Sequence, residues 1–292
     1  MPPNASRSKL VDRLRQIARG PVAPIGFGRA TEVRVPALAL IVSLARNDVE
    51  LAKAALNGGA DAVLLHLNQE LPEAGVKFGN LDVERETLRA VAGASGDKPW
   101  GVDLGEGPAT ADEAKGLVEL GADFISARAA SASASLLIAE GLARVISVGR
   151  DLSPYLVRII GEMPIEVVEV SLLDTNRSQP LTILDVMRYR QIVDLTRQSV
   201  VVRTQGIIKP DDVRALREAG VLGLILDIAT VGSDPAAVEG TTRAFRQAID
   251  QAGGPLARRA TVDVIIPQVT PRMSAPEIEA PEEPEEEPDE EW

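Results

Sequence analysis

Short apolar runs alternate with amphipathic stretches along most of this chain. Eight runs rich in Val, Ile and Leu are each followed by a stretch with helical periodicity. They span residues 37–45, 61–67, 99–105, 123–129, 143–149, 165–172, 199–205 and 223–228. Near-continuous apolar strands are typical of a parallel sheet that helices cover on both faces. The pattern therefore predicts an α/β fold made of eight strand–helix units.

Eight such units are the number that closes a single (β/α)8 barrel, which we place at residues 21–254. An open, doubly wound sheet is the alternative, but the first strand–helix turn, SLARNDVE (43–50), has no G-x-G-x-x-G phosphate turn. The stretch at 131–142, between the fourth and fifth strands, is predicted to be a helix like the others. We expect the closed barrel.

Both ends of the chain differ from this repeat. Residues 1–20 contain apolar side chains at helical spacing and predict an N-terminal helical extension. Residues 255–275 read as a linker that contains one β-prone segment, TVDVIIPQV (261–269). Residues 276–292 repeat Pro and Glu, and so charged a segment has too little apolar surface to offset the entropy of ordering. We expect a disordered acidic tail.

Composition narrows the classes of function. The formal net charge is −12, but residues 277–291 hold ten of the carboxylates, so the rest of the chain is close to neutral. No basic surface for nucleic acid or anionic lipid is indicated, and neither a membrane span nor a secretory signal is apparent, so a cytoplasmic protein is expected. The absence of cysteine and the single histidine exclude disulfides, thiolate nucleophiles and a three-histidine zinc site.

The active sites of such barrels lie at the carboxyl ends of the strands, so polar residues there are the candidates for chemistry. We predict that Asp103, Glu169 and His66 are catalytic, that Arg128 and Arg203 bind an anion, and that Ser43 and Asp227 line the same pocket. Buried carboxylates need a cationic partner, which these arginines can supply. Two alternatives stay open: the charges form a satisfied ionic layer in the barrel core, and His66 is structural.

Residues 200–235 resemble the strand 7 to strand 8 region of the phosphate-binding (β/α)8 barrels, among them the tryptophan and histidine biosynthesis barrels, the ribulose-phosphate epimerases and FMN-linked barrels. In those families a loop after strand 7 and a short helix after strand 8 hold a phosphate through backbone N–H groups. The resemblance implies that Gln205, Gly206, Gly232 and Ser233 form this site here.

Residues 101–129 are similar to the strand 3 to strand 4 unit of the orotidine-phosphate and keto-gulonate-phosphate decarboxylase superfamily. That superfamily carries an Asp-x-Lys-x-x-Asp motif, of which Asp103 matches, whereas Gly105 stands at the lysine position and Pro108 at the second aspartate position. The resemblance thus singles out Asp103 but does not support decarboxylation by that machinery.

Three functions follow as hypotheses. The first is a lyase or isomerase that acts on a small phosphorylated or otherwise anionic metabolite, with Mg²⁺ on the carboxylates as an option and no dedicated metal site predicted. The second is a catalytically inactive barrel that acts as a scaffold through its C-terminal extension. The third and weakest is an FMN-binding oxidoreductase. A homo-oligomer is compatible with each of them.

Overall fold

The computed structural model of the chain describes residues 8–20, 35–105, 107, 109–150, 152–174 and 179–253. All of them belong to the first of two compact units, Met1–Leu256. The predicted linker, its β-prone segment and the predicted acidic tail lie outside the described residues.

Eight parallel strands form a closed barrel in which each strand pairs with the next and the last pairs with the first. The strands are β1 (Ala39–Ser43), β2 (Ala62–His66), β3 (Trp100–Asp103), β4 (Phe124–Arg128), β5 (Ala143–Val148), β6 (Val167–Val170), β7 (Ser199–Arg203) and β8 (Gly223–Leu226). The predicted closed barrel is confirmed, and the open-sheet alternative is wrong.

One helix, α1 (Lys9–Arg19), precedes the first strand, and the other helices follow the strands. The latter are α2 (Val49–Asn57), α3 (Leu81–Ser95), α4 (Ala111–Glu119), α5 (Pro154–Ile160), α6 (Ile183–Thr196), α7 (Val213–Glu218), α8 (Ile228–Val231) and α9 (Pro235–Gln251). Polar caps explain where several begin: Thr110 and Glu113 form a capping box at α4, and Thr182 and Asp185 form another at α6. A short antiparallel hairpin lies between β2 and α3, and its two strands, Glu70–Leu71 and Val76–Lys77, have two residues each.

The predicted helix at 131–142 is wrong in type and length. The structure has a short 3₁₀ helix, Ala134–Ile138, which begins at the Ser133 cap. Within it only Leu136 is buried, while Ile138 is 79% exposed. This Ser- and Ala-rich stretch offers too narrow an apolar face for a longer helix to pack on the barrel.

The predicted N-terminal helix is confirmed, and it packs across the amino ends of the strands. Leu10, Val11, Leu14 and Ile17 of α1 are buried together with the lumen-facing side chains of the lower barrel, such as Ile41. At the start of α1, Asp123 accepts hydrogen bonds from Ser8 Oγ (2.8 Å) and from the backbone N–H groups of residues 9 (2.7 Å) and 10 (3.0 Å). α1 therefore closes the amino end of the lumen, away from the strand ends where the candidates lie.

The lumen changes from apolar to polar along each strand. Because alternate residues point inward, buried Ile41 precedes Ser43 on β1 and buried Val201 precedes Arg203 on β7. The same step occurs from Leu64 to His66 on β2 and from Val167 to Glu169 on β6. Apolar layers thus fill the amino half of the lumen, and polar side chains meet at its carboxyl end.

Candidate active site

An ionic cluster joins three strands at the carboxyl end of the lumen. Arg203 on β7 donates from Nε to Glu169 Oε1 on β6 (2.6 Å) and from a terminal nitrogen to Asp103 Oδ2 on β3 (2.9 Å). The second oxygens also have donors, because Ser126 Oγ donates to Glu169 Oε2 (2.9 Å) and the Gly105 N–H donates to Asp103 Oδ1 (2.8 Å). All four carboxylate oxygens of the pair therefore have a hydrogen-bond donor.

The three side chains of the cluster differ in their exposure to solvent. The side chain of Glu169 is 1% exposed, whereas those of Asp103 and Arg203 are 13% and 18% exposed. Burial alone raises the pKa of Asp103, but Arg203, then His66, and the Gly105 N–H outweigh it and lower this pKa below its usual value. Burial alone lowers the pKa of Arg203, but Glu169 and Asp103 outweigh it and raise this pKa. Asp103 and Arg203 are therefore both charged at neutral pH.

His66 lies beside this cluster in a chain of hydrogen bonds. Its Nε2 is 3.0 Å from Ser43 Oγ, and its Nδ1 is 2.8 Å from Gln69 Nε2. Gln69 Nε2 also donates to the carbonyl oxygen of Asp103 (2.8 Å), so the amide nitrogen rather than the amide oxygen faces His66. His66 Nδ1 consequently accepts, and Nε2–H donates to Ser43.

Burial is the main cause that lowers the pKa of His66 to about 4, and Arg203 adds to it against the opposing effect of Asp103. The imidazole is thus neutral at neutral pH, 1% exposed, and packed against the ring of Phe78 at a centroid distance of 5.0 Å. In this tautomer His66 cannot take a proton from Ser43. The contacts match the structural histidine that the sequence left as an alternative.

At the β7–β8 corner, protein groups already bind the donors expected to hold a phosphate. The N–H of Gly206 donates to Thr230 Oγ1 (3.2 Å), and the N–H of Gly232 donates to the carbonyl oxygen of Ile228 (2.8 Å). Asp227 caps α8 by accepting from the Thr230 N–H (3.1 Å) and Thr230 Oγ1 (2.8 Å). A carboxylate of the chain itself thus lies at the corner where the resemblance implies a bound phosphate.

The remaining predicted residues lie around the cluster. Period-2 alternation along residues 199–205 would place Gln205 on the same side as Arg203, but β7 ends at Arg203 and Gln205 adopts a positive φ of 52°. Its side-chain amide instead pairs with the backbone N–H (2.9 Å) and carbonyl (3.0 Å) of Leu173 in the loop after β6. Ser233 is exposed beyond α8, and Arg128 is exposed at the end of β4.

Three residues that organise this region were not predicted. Gln69 orients His66, while Thr204 Oγ1 and Thr230 Oγ1 lie 2.6 Å apart and both contact Asp227. Thr204 directly follows β7, so its position next to Arg203 was a usable signal. Gln69 and Thr230 lie in loop and helix positions that strand periodicity does not locate.

The described part of the chain contains no group of three or more His, Asp or Glu side chains arranged to hold a metal ion. A cation between Asp103 and Glu169 would have to displace Arg203, which now bridges them. Of the described helices, none has the length and apolar character to cross a membrane.

Comparison with known proteins shows the fold. No protein-family model and no curated protein sequence matches the chain. Thiamine phosphate pyrophosphorylase from Pyrococcus furiosus is 19% identical with a TM-score of 0.56, covering 75% of this chain and 98% of its own. A ligand-free tryptophan synthase structure from M. tuberculosis is 15% identical with a TM-score of 0.60, covering 84% and 100%, respectively. A mutant tryptophan synthase α-subunit from Pyrococcus furiosus is 16% identical with a TM-score of 0.57, covering 72% and 98%.

These likenesses confirm the (β/α)8 fold. At identities below a fifth, the likeness extends to fold and not to reaction.

Proposed function

We propose that the carboxyl end of the barrel is the active site of a lyase or isomerase that acts on a small phosphorylated or otherwise anionic metabolite. The observation that carries this proposal is the position of Arg203, held between carboxylates from two other strands at the end of the barrel where active sites lie. One structural neighbour is named for thiamine phosphate, and this name supports a ligand that carries a phosphate group.

The graded exposure suggests how the roles divide. Asp103 is partly exposed and ionised, so we assign it as the base that takes a proton from the substrate. Arg203 would compensate the negative charge that remains on the substrate when the C–H electron pair moves onto an adjacent carbonyl oxygen. Glu169 is buried and would hold Arg203 in place. Because the pKa of Asp103 is low, its carboxylate is a weak base. It therefore suits a substrate whose C–H proton is already acidic.

The hydrogen bonds at the β7–β8 corner suggest where the anion of the substrate would bind. Because Gly206 and Gly232 use their N–H groups within the protein, the exposed edge of Arg203 is the better-placed donor. Arg128, exposed at the end of β4, would supply a second cation. Under this proposal the substrate anion lies nearer to β4 and β7 than to α8.

A thermal-shift panel tests the proposal on the full chain. The panel contains inorganic phosphate, a sugar phosphate, a dicarboxylate, FMN and Mg²⁺. A ligand at 100 times its Kd adds about 2.7 kcal/mol, which for a domain of this size raises Tm by roughly 5 to 10 °C. We expect such a shift with at least one anion, reduced in Arg128→Met and unchanged in the control Arg214→Met, whose side chain lies on the surface of α7. If no compound moves Tm, the enzyme proposal fails.

A second candidate, a catalytically inactive barrel that acts as a scaffold, is favoured by one observation. Asp103, Glu169 and Arg203 satisfy one another, and Asp227 occupies the phosphate corner, so the site is complete without a ligand. Deleting residues 255–292 and measuring the mass by light scattering tests this candidate. An assembly that is identical with and without this extension would exclude a scaffold that acts through it.

A further inference from the structure

Large apolar side chains are exposed together on two neighbouring helices. In the described part of the chain eight such side chains are exposed, and five of them lie in the amino-terminal halves of α5 and α6. These five, which we call the α5–α6 patch, are Tyr155 (72% exposed), Leu156 (45%), Ile183 (83%), Leu184 (54%) and Met187 (61%). Such clustering needs a cause, because scattered exposed apolar residues are normal but contiguous ones mark a contact surface.

The amino-terminal halves of α5 and α6 lie on neighbouring helices. α5 follows β5 and α6 follows β6, the two strands are paired, and the helices contact each other along the outside of the barrel. Gln198, just after α6, donates to the carbonyl oxygen of Gly161, just after α5 (3.2 Å), so the two carboxyl ends are level. The shorter α5 therefore begins beside the middle of α6, nearer to Met187 than to Ile183. Each helix already uses its opposite face for the core, with Val157 and Ile160 on α5 and Tyr189 and Ile192 on α6. The α5–α6 patch therefore faces away from the barrel.

The size of the patch matches what a dimer needs. Five side chains with these exposures present on the order of 500 Å² of apolar surface, at the upper end of the largest patch on a typical monomer. A standard interface buries about 800 Å² per partner. Of such an interface about 60% is apolar, or roughly 500 Å². The patch would thus supply the apolar share of one side of an interface.

The charges around the patch suit a second copy of the same chain. Arg190 and Asp194 form an ion pair one to two turns further along α6, both about half exposed. Arg150 and Asp174 form another beyond the ends of β5 and β6. In a two-fold contact the same surface meets itself, so a rim of one sign would repel its copy, whereas paired opposite charges can face each other. A rim of both signs around an apolar centre is self-complementary.

We propose that the α5–α6 patch is the interface of a symmetric homodimer of this chain. The patch lies outside the lumen and shares no residue with the ionic cluster. Dimer formation therefore does not depend on the proposed catalytic function.

Light scattering and sedimentation of the full chain test this proposal. The wild type is expected at twice the chain mass of 31.0 kDa at micromolar concentration. The double variant Ile183→Glu with Met187→Glu places four carboxylates in the interface, because symmetry doubles each change, and we expect its dimer Kd to rise about 100-fold or more. The matched control is Val83→Glu, since Val83 is also 72% exposed but lies alone on α3; we expect it to remain dimeric.

Far-UV circular dichroism of each variant establishes that it is folded before its mass is compared. All of the substituted side chains are exposed, so the folded barrel is expected to persist. A wild type that stays monomeric up to a concentration of about 100 μM overturns the proposal, because a dimer with a micromolar Kd would be almost fully formed at that concentration. A double variant as dimeric as the wild type, or a Val83→Glu control that dissociates equally, also overturns it.

Discussion

Arg203 Nε and Glu169 Oε1 lie 2.6 Å apart inside the barrel, so β7 and β6 are joined by an ion pair whose acid is 1% exposed. Water cannot solvate Glu169 at that depth, and Ser126 supplies the only other side-chain hydrogen bond described for it. The guanidinium is therefore required for stability, whatever further role it has toward a ligand.

Replacing Arg203 should destabilise the protein strongly. Arg203→Met leaves Glu169 as a buried charge without its cation, a loss worth about 3 to 5 kcal/mol. Urea denaturation of the variant and the wild type measures it. Arg214→Met is the matched control, because Arg214 pairs with Glu218 on the surface (83% and 62% exposed) and such pairs contribute less than about 1 kcal/mol. Equal losses in both variants would contradict the buried ion pair.

The single histidine should stay neutral well below its usual pKa. Because burial lowers the pKa of His66 to about 4, its Cε1–H signal, unique in the NMR spectrum of this chain, should move by only about a tenth of its full titration shift between pH 8 and pH 5. A titration midpoint of this signal near pH 6.5 would show that the ring is solvated. It would contradict the buried hydrogen bonds of His66 to Ser43 and Gln69.

The same residue makes stability depend on pH. The unfolded chain protonates His66 near pH 6.5 and the folded chain only near pH 4, so the unfolded state binds more protons between these values. Stability is then fully present above pH 6.5 and falls with pH, by about 2 kcal/mol from this residue between pH 7 and pH 5. Urea denaturation at both pH values should show this decrease in the wild type and a smaller one in His66→Gln.

Thr230 should matter through its hydroxyl group. Thr230→Val leaves the Gly206 N–H without its partner and removes one donor from Asp227, at a cost of about 1 to 3 kcal/mol. Thr230→Ser keeps the hydroxyl group and is the control, with a loss well below that of the valine variant. If the serine variant is as unstable as the valine variant, the methyl group and not the hydrogen bonds accounts for the effect.

The packing of α1 against the amino end of the barrel should depend on the buried side chains of this helix. Leu14 is fully buried against the lower lumen, and Leu14→Ala should cost about 2 to 5 kcal/mol through lost burial and the cavity left behind. Gln16→Ala, on the exposed face of the same helix, should change stability by less than about 0.5 kcal/mol. Thermal or urea unfolding compares the two, and similar values would show that α1 is not part of the cooperative core.

Period-2 alternation places Glu169 and Arg203 on the lumen side of their strands, because both lie within regular strands. The same rule failed for Gln205, since β7 ends two residues earlier and a positive φ turns the side chain toward Leu173. Periodicity also could not show that Gly206 and Gly232 use their N–H groups internally. Those partners, Thr230 Oγ1 and the Ile228 carbonyl, depend on the geometry of a four-residue helix.

The sequence by itself determined the eight strand–helix units, because near-continuous apolar strands need cover on both faces and the amphipathic stretches between them supply it. Eight is also the number of units that closes a barrel. The sequence also determined which residues stand at the carboxyl ends of those strands. Only the tertiary structure decided how they pair: Arg203 binds Glu169 and Asp103, burial lowers the pKa of His66, and Asp227 caps α8 at the β7–β8 corner. These outcomes depend on distances between strands far apart in the chain, which local pattern does not encode.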